Sequence, residues 1–347
     1  MKKAGEILVL CGLVLALLAF TAAPAFSQEE LNLKQIENVF DDFSDGMARA
    51  LPLNSSIGLN WSDAYIGQLL RVPPNIGFGL TVGATTIPYA ALKSAADDLG
   101  ADLPGFAEVL GLPMPGYTFD VRIGGIIWPF DIGFKVGALP DSDLFMPSGW
   151  DLDYLLVGTD IRARVLQGRG PLPDVSAGVG FNYLRGEVSA SGILGDITVA
   201  EIQYSDNEAD TADVVLRDPA LQLEWESKVL DFKVQASKRL FVLTPYLGLG
   251  ASYAWSEAGG GVRTALDVEN IQGTLTGQED AVRDAIRQEY PQFDSNGFAV
   301  SNSVTGFGLR TFGGFSFNVL IARLDFTLMY DFLGQNIGAT TGARIQL

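Results

Sequence analysis

Apolar and polar residues alternate along much of the chain. Between 322 and 332, Leu324, Phe326 and Leu328 fall on one parity, and Arg323 and Asp325 fall on the other. This two-residue period predicts a β-strand with one apolar and one polar face. Fourteen segments are candidate strands: 55–61, 75–86, 117–128, 131–139, 152–167, 174–190, 196–204, 218–227, 229–238, 241–256, 261–275, 305–319, 322–333 and 337–347.

Two kinds of all-β protein show such alternation, a soluble sandwich and a membrane barrel. Most of the candidate strands are as long as the roughly 9 to 11 residues that a tilted strand needs to cross a membrane. Charged residues recur opposite the apolar face, where a barrel has its lumen, and closure leaves no unpaired edge in hydrocarbon. The pattern therefore favours a transmembrane antiparallel β-barrel, with 12 to 14 strands because single-chain barrels usually have an even number.

The polar faces of the stronger strands provide candidate lumen-lining residues. Ion pairs inside a narrow barrel commonly brace neighbouring strands, so their first interpretation is structural, and the alternative is a polar channel lining. With Asp131, Glu226 and Asp331 added, eight basic side chains oppose eight acidic ones, which predicts a neutral lumen. The candidates are Asp120, Arg122, Lys135, Asp160, Arg162, Arg164, Glu224, Asp231, Lys233, Arg310, Arg323, Asp325 and Arg344.

Three segments have helical rather than strand periodicity. Residues 32–49 predict an amphipathic helix before the barrel, which is a candidate plug of its periplasmic mouth or, alternatively, a helix packed at the rim. Helical insertions are also predicted at 89–110 and 279–289, the latter with a capping box from Thr276 to Glu279. The apolar positions of the candidate plug helix are Leu33, Ile36, Phe40, Phe43 and Met47.

The first residues have the pattern of a secretory signal peptide. Lys2 and Lys3 precede an apolar run, and small residues approach Ser27, so residues 1–27 are expected to be removed. The single cysteine, Cys11, lies within them. We therefore predict a signal peptide at 1–27, a helical segment with a plug role at 28–54 and an outer-membrane barrel at 55–347.

Composition removes several classes of function. The chain has no histidine and a formal charge of -18, which excludes histidine-based catalysis and disfavours nucleic-acid binding. Carboxylate pairs such as Asp151 with Asp153 have simpler structural explanations, so we expect no enzyme activity. The acidic stretch 206–213 lacks the ligand spacing of a calcium loop, and we predict neither a metal site nor a cofactor.

Several short motifs resemble an uncharacterised family of predicted outer-membrane β-barrels of Gram-negative bacteria. They are GLNW at 58–61, FGLTV at 78–82, GGIIWPFDIGF at 124–134, SKR at 237–239 and TPYLGLG at 244–250. A helical segment before about fourteen strands is also similar, in architecture only, to the long-chain fatty-acid transporter family. Both resemblances imply a barrel in the outer membrane.

Together these patterns predict an outer-membrane barrel that passes small molecules, hydrophobic ones included, by a passive route. The alternative is a non-conducting structural or surface-interaction barrel whose acidic loops meet partners. The expected partners are outer-membrane lipid and lipopolysaccharide, the barrel-assembly machinery and a small-molecule substrate, with no nucleic acid.

Overall fold

A computed structural model describes residues 33–66, 74–88, 93, 111–127, 129–139, 149–191, 197–203, 207, 209–274, 277–289 and 297–346. Residues 1–27 and nearly all of 89–110 therefore lie outside the described residues. Neither helix of the described chain is long and apolar enough to span a bilayer. The elements are α1 (Leu33–Asn54), β1 (Asn75–Ile87), β2 (Leu112–Gly124), β3 (Phe130–Ala138), β4 (Trp150–Leu166), β5 (Asp174–Ala190), β6 (Ile197–Gln203), β7 (Thr211–Ser237), β8 (Leu243–Glu269), α2 (Glu279–Glu289), β9 (Gly297–Val319), β10 (Ala322–Asp331) and β11 (Ile337–Gln346).

Ten of the strands form a closed antiparallel barrel. Neighbours in sequence pair with one another, β1 pairs with β11, and β5 pairs directly with β7, which closes the ring. The remaining strand, β6, pairs only with the first part of β7 and lies outside the ring. Closure gives every strand of the ring two neighbours within the ring, as a barrel in hydrocarbon requires.

The predicted number of 12 to 14 strands is wrong, because some candidates merge and others leave the ring. Segments 218–227 and 229–238 fall in one strand, β7, and most of segments 241–256 and 261–275 falls in β8. Residues 55–61 form no strand, and 196–204 corresponds to β6. A helix, α2, occupies 279–289 between β8 and β9.

The outward face of the barrel carries an apolar belt. Phe232 in β7, Leu249 in β8 and Phe307 in β9 are 54%, 59% and 77% exposed, although an ordinary soluble protein buries such side chains. The inward positions of the same strands carry buried polar groups such as Asp231 and Lys233. This arrangement, apolar outside and polar inside, is that of a lipid-facing barrel.

The two faces exchange polarity part of the way along the long strands. In β7, Phe232 points outward and Lys233 inward, but nearer the start of the strand Trp225 is buried on the inward face and Glu224 is exposed on the outward face. Since β7 pairs with β5 in unbroken register from 221 to 237, the backbone parity is constant and only the side-chain polarity changes. Beyond this point the strands therefore have the side-chain pattern of a soluble protein, with polar residues outward and apolar residues inward.

The exchange occurs at the same height on neighbouring strands, which defines the edge of the belt. Tyr183, Lys228, Trp255 and Thr305 form one row of paired residues across β5, β7, β8 and β9. Two of the four are aromatic and one is cationic, a composition typical of a membrane interface. We call this row the boundary.

The two ends of the barrel differ. The connections at 125–129, 167–173, 238–242 and 320–321 are short turns, and we call this end the turn end. The other end has the connections 88–111, 139–149, 191–210 (which contains β6) and 270–296, with a short exception at 332–336, and we call it the loop end. Bacterial outer-membrane barrels have the same asymmetry, with short turns at their periplasmic end and long loops at their extracellular end.

We expect the boundary to determine where an outward charge is tolerated. Leu309 and Ser303 lie on the same outward face of β9, within the belt and beyond the boundary respectively. Leu309→Arg should lower the free energy of unfolding by about 2 to 4 kcal/mol, and Ser303→Arg by about 1 kcal/mol or less. Guanidinium unfolding in lipid vesicles, followed by tryptophan fluorescence, measures both, and equal losses would contradict this position of the boundary.

Candidate functional site in the lumen

The lumen contains the chain that precedes β1. Helix α1 ends at Asn54, whose side-chain amide donates hydrogen bonds to Thr85 Oγ1 at 3.0 Å and to the Met114 carbonyl at 2.9 Å. The chain continues without regular structure from 55 to 66, and Gly58 and Leu59 there have φ values of 84° and 57°. At its far end, the Ile66 amide donates to Asp131 Oδ2 at 3.1 Å. We call residues 55–66 the lumen segment.

Helix α1 lies in the half of the lumen toward the loop end. Phe40, Phe43, Met47 and Leu51 of its apolar face are buried in one hydrophobic cluster with inward side chains of the strands, such as Leu184. The inward faces are apolar only beyond the boundary, so an amphipathic helix can bury its apolar face there. The predicted seal of a periplasmic mouth stays a prediction. The side chains of Leu33 and Ile36 lie outside the described part of the chain.

The half of the lumen toward the turn end is polar. Arg122 pairs with Asp131 at 2.5 Å and with Asp160 at 2.8 Å, and Arg162 also pairs with Asp131 at 2.9 Å. Lys233 extends the network from β7 through an ion pair of 2.7 Å with Asp160. These side chains come from β2, β3, β4 and β7, so the network links strands that span much of one wall. We call it the wall network.

A single carboxylate of the lumen segment holds two arginines on the opposite wall. Asp63 accepts from Arg323 at 2.6 Å and from Arg344 at 2.9 Å, and the Gln346 amide donates to it at 3.3 Å. Arg344 has a second partner, Asp325, at 2.5 Å. Asp63 was missed by sequence reasoning because it lies outside every strand and no periodicity marks it.

Trp61 of the lumen segment lies between two arginines. The Arg344 guanidinium is 4.8 Å from the indole centroid and the Arg122 guanidinium is 5.5 Å from it, within the range of cation–π attraction. The indole N–H points to Asp120 Oδ2 at 3.5 Å. The ring is 3% exposed, so these contacts are made away from bulk water.

Side chains of the wall also satisfy the backbone of the lumen segment. Lys135 donates from Nζ to the carbonyls of Ser55 at 2.6 Å and Ile57 at 2.7 Å. Gln235 donates to the carbonyls of residues 61 and 62, both at 2.9 Å, and Asp120 accepts from the amide of Leu59 at 3.1 Å. A segment without secondary structure thus obtains its hydrogen bonds from the barrel, as a buried backbone requires.

Wall glycines make room for this chain. A Cβ atom added at any of five inward glycines would stand 2.4 to 2.8 Å from a side chain of α1 or the lumen segment. Such distances are too short for carbon atoms, so a larger residue at these positions would displace the chain in the lumen. The pairs are Gly77 with Trp61, Gly116 with Ile57, Gly124 with Ile66, Gly133 with Leu59 and Gly260 with Phe40.

The structure places most of the predicted lumen residues on the inward face. Arg164 is half-buried there, with its guanidinium 4.7 Å from the ring centroid of Tyr65. Glu224 is a correction: it is exposed on the outward face, because it lies beyond the boundary, where the polar face is the outer one. The buried residues are Asp120, Arg122, Lys135, Asp160, Arg162, Asp231, Lys233, Arg310, Arg323, Asp325 and Arg344.

With Glu224 outside the lumen, the wall is not neutral as the sequence predicts. Glu226 is also on the outward parity, so the eight predicted acidic residues become six: Asp120, Asp131, Asp160, Asp231, Asp325 and Asp331. The eight predicted basic residues remain on the inward parity. Among the residues predicted for the wall, eight minus six gives a net charge of +2, which Asp63 reduces to +1.

Little space remains between the wall and the lumen segment. A small polar cavity lined by Asn60, Lys135, Asp160 and Lys233, among others, has room for about one water molecule. The acidic stretch near 210 has a structural role, since buried Asp210 accepts from the amide of Thr274 at 2.8 Å. Within the described ranges, no cluster of acidic, histidine or cysteine side chains is arranged to bind a metal ion.

The chain matches no protein-family model. No curated protein matches it either. Its fold is similar to that of solved outer-membrane barrels, at low scores. The outer-membrane protease OmpT from Escherichia coli has a TM-score of 0.36 and 11% identity, over 82% of this chain and 100% of that one. The translocator domain of the autotransporter NalP from Neisseria meningitidis has a TM-score of 0.28 and 9% identity, over 89% and 98%.

The toluene transporter TbuX from Ralstonia pickettii has a TM-score of 0.22 and 10% identity, over 80% of this chain and 89% of that one. Scores and identities of this size carry no argument about activity. The resemblance to the long-chain fatty-acid transporter family stays a prediction.

The wall network should contribute strongly to stability. Asp131→Asn would leave the buried guanidinium of Arg162 without its carboxylate and that of Arg122 with only one. Removing one partner of a buried ion pair costs about 3 to 5 kcal/mol, so we expect a loss of that size in the free energy of unfolding.

Asp45→Asn is the matched control, since Asp45 pairs with Arg49 on an exposed part of α1. Its loss should stay near about 0.5 kcal/mol. Guanidinium unfolding in detergent micelles compares the two, and equal stability of both variants would show that the wall network contributes nothing.

Proposed function

We propose that the protein is an outer-membrane β-barrel whose lumen is a passage for small molecules, closed at rest by α1 and the lumen segment. The observation that carries the proposal is the glycine surface of the wall. A barrel filled only for stability can use its own bulky inward side chains. Here the wall has glycine opposite Phe40, Ile57, Leu59, Trp61 and Ile66, so a part that can move fills the space.

The contacts that hold the lumen segment also support the proposal that this segment acts as a gate. Its residues have no regular secondary structure, and it depends on individual contacts such as those of Asp63 and on donors such as Lys135 and Gln235. Each contact of this kind contributes about 1 to 3 kcal/mol. Local release of such a segment costs less than opening a β-sheet, and the closed ring stays intact.

The two halves of the lumen suit a particular kind of solute. Toward the loop end, the inward faces present apolar side chains such as Leu152, Val188 and Leu221, and toward the turn end they present the wall network. A solute that enters from the loop end would meet an apolar surface first and a basic one afterwards. Small molecules with an apolar part fit this order.

The belt supports a proposal about the surroundings of the barrel. Its outward side chains face outer-membrane lipid, and we propose lipopolysaccharide as the partner at the loop-end boundary, where Arg185 and Lys228 lie. Insertion by the barrel-assembly machinery and export by the segment 1–27 complete this proposal. We propose no catalytic role, because the chain has no histidine and the buried carboxylates of the wall network are held by arginine and lysine.

A non-conducting surface barrel is the second candidate, and the extension beyond the boundary favours it. β7 and β8 each have 27 residues, whereas β10 has 10, so one wall projects well past the belt. Ion pairs stabilise the projection: Arg217 with Asp267 at 3.1 Å and Arg283 of α2 with the same carboxylate at 2.8 Å. Such a platform would suit a partner outside the cell.

Conductance across a planar bilayer distinguishes the candidates. Asp63→Asn should make channel openings at least about tenfold more frequent than in the wild type. The physical reason is that Arg323 and Arg344 lose their charged acceptor, and hydrogen bonds to charged groups contribute about 1.5 to 3 kcal/mol. In a salt gradient the open state should favour anions, because the wall alone has a net charge of +2.

The control is Asp45→Asn, which removes a carboxylate from α1 outside the polar half of the lumen and should leave the opening frequency unchanged. If Asp63→Asn inserts as a heat-modifiable barrel and yet never conducts, the passage is refuted and the surface barrel becomes the better account.

A further inference from the structure

Arg344 holds an aromatic ring and a carboxylate at the same time. Its guanidinium is 4.8 Å from the ring centroid of Trp61 and 2.9 Å from Asp63 Oδ2. Both groups belong to the lumen segment and are two positions apart in sequence. Arg344 itself is 3% exposed and is oriented by Asp325 at 2.5 Å, so its position is fixed by the wall.

The wall around the ring is shaped for a flat apolar group. A Cβ atom at Gly77 would stand 2.7 Å from the Trp61 ring, and one at Gly79 would stand 3.6 Å from it. Arg122 faces the ring from another side at 5.5 Å, and Asp120 lies 3.5 Å from the indole nitrogen. The two glycines thus leave a slot for the ring, and a guanidinium group lies on each side of it.

The wall around the carboxylate is shaped for an anion. Arg323 donates to Asp63 Oδ1 at 2.6 Å, and Gln346 donates to Oδ2 at 3.3 Å. Among the ion pairs of the described chain, Arg323 has Asp63 as its one acidic partner. When Asp63 leaves, a buried guanidinium keeps its charge, and an unpaired charge of this kind favours the binding of another anion.

From this geometry we infer a binding site for small aromatic carboxylates in the barrel wall, formed by Arg344, Arg323, Gln346 and the slot at Gly77 and Gly79. In the closed barrel, the Trp61 ring and the Asp63 carboxylate occupy the positions that the ring and the carboxylate of the solute would take, and we call these two side chains the internal surrogate. The inference deepens the proposed function, on which it rests: a solute of this class would compete with the lumen segment and so favour the open passage. Since Arg344 contacts both groups, the ring and the carboxylate of the solute must lie only a few bonds apart.

The test measures binding to a barrel whose surrogate has been removed. Phenylacetate is titrated into detergent-solubilised Trp61→Ala/Asp63→Ala by calorimetry, with the wild type alongside. We expect the double variant to bind at least about tenfold more tightly, because the ligand no longer competes with the lumen segment. Phenylacetamide lacks the charge and acetate lacks the ring, so each should bind at least about tenfold more weakly than phenylacetate.

Two further substitutions in the double variant examine the two parts of the site. Arg344→Gln should reduce phenylacetate affinity by about tenfold or more, since both contacts are lost. Gly77→Leu should fill the slot and remove the preference for phenylacetate over acetate. Asp45→Asn is the control and should leave phenylacetate affinity unchanged. Heat-modifiable migration establishes that each variant is folded, and Asp63→Ala alone replaces the double variant if the latter does not fold.

The outcomes separate the site from the passage. The inference is overturned if the folded Trp61→Ala/Asp63→Ala variant does not bind phenylacetate, or if Arg344→Gln does not weaken that binding. Channel openings by Asp63→Asn would in that case still support the passage. Binding with the expected dependence on Arg344, together with an absence of conductance, would support the site and refute the passage.

Discussion

The need for an apolar outer face in lipid determines most of this structure. Hydrocarbon offers no hydrogen bonds, so the strands present apolar side chains outward within the belt and all their charges inward. A ten-stranded ring has a narrow interior, and fourteen charged side chains of its wall share that space. They must be paired, and the wall alone cannot pair them because its basic residues outnumber its acidic ones.

The lumen segment reduces this imbalance of charge. It brings Asp63 to the two arginines of β10 and β11, and its carbonyls accept from Lys135 and Gln235. In return, side chains of the wall form hydrogen bonds with the backbone of the lumen segment, which has no secondary structure to pair its own amides and carbonyls. The wall and the segment are therefore complementary in shape, through the glycines, and in charge.

The sequence is sufficient to predict the barrel, but its strand count is overestimated in part because the polarity of the two faces exchanges along the long strands. The polar face is the inner one within the belt and the outer one beyond the boundary, so periodicity breaks in the middle of a continuous strand. The predicted segments 218–227 and 229–238 meet at this break, and the predicted segment 305–319 starts at it, whereas β9 begins at Gly297. The same exchange led to the assignment of Glu224 to the lumen.

Other features of the site had no sequence signal of their own. Inward residues of the belt, such as Arg122 and Arg344, followed from alternation, because each lies on a regular strand. Asp63 and Trp61 lie in an irregular segment, and only the folded ring brings them to their partners. The candidate helix was recognised from its apolar face, but its place in the loop-end half depends on an apolar inner surface that the predicted polar lumen did not include.

A reversible tether of the lumen segment tests whether movement of this segment opens the passage. The Ala64 amide lies 3.2 Å from Ser237 Oγ of β7, and the one cysteine of the chain lies within the predicted signal peptide, so Ala64→Cys/Ser237→Cys introduces a unique disulfide pair. In the Asp63→Asn background, single-channel recording should find the oxidised barrel closed and the reduced barrel conducting. Equal conductance in both states would contradict closure by a movable lumen segment.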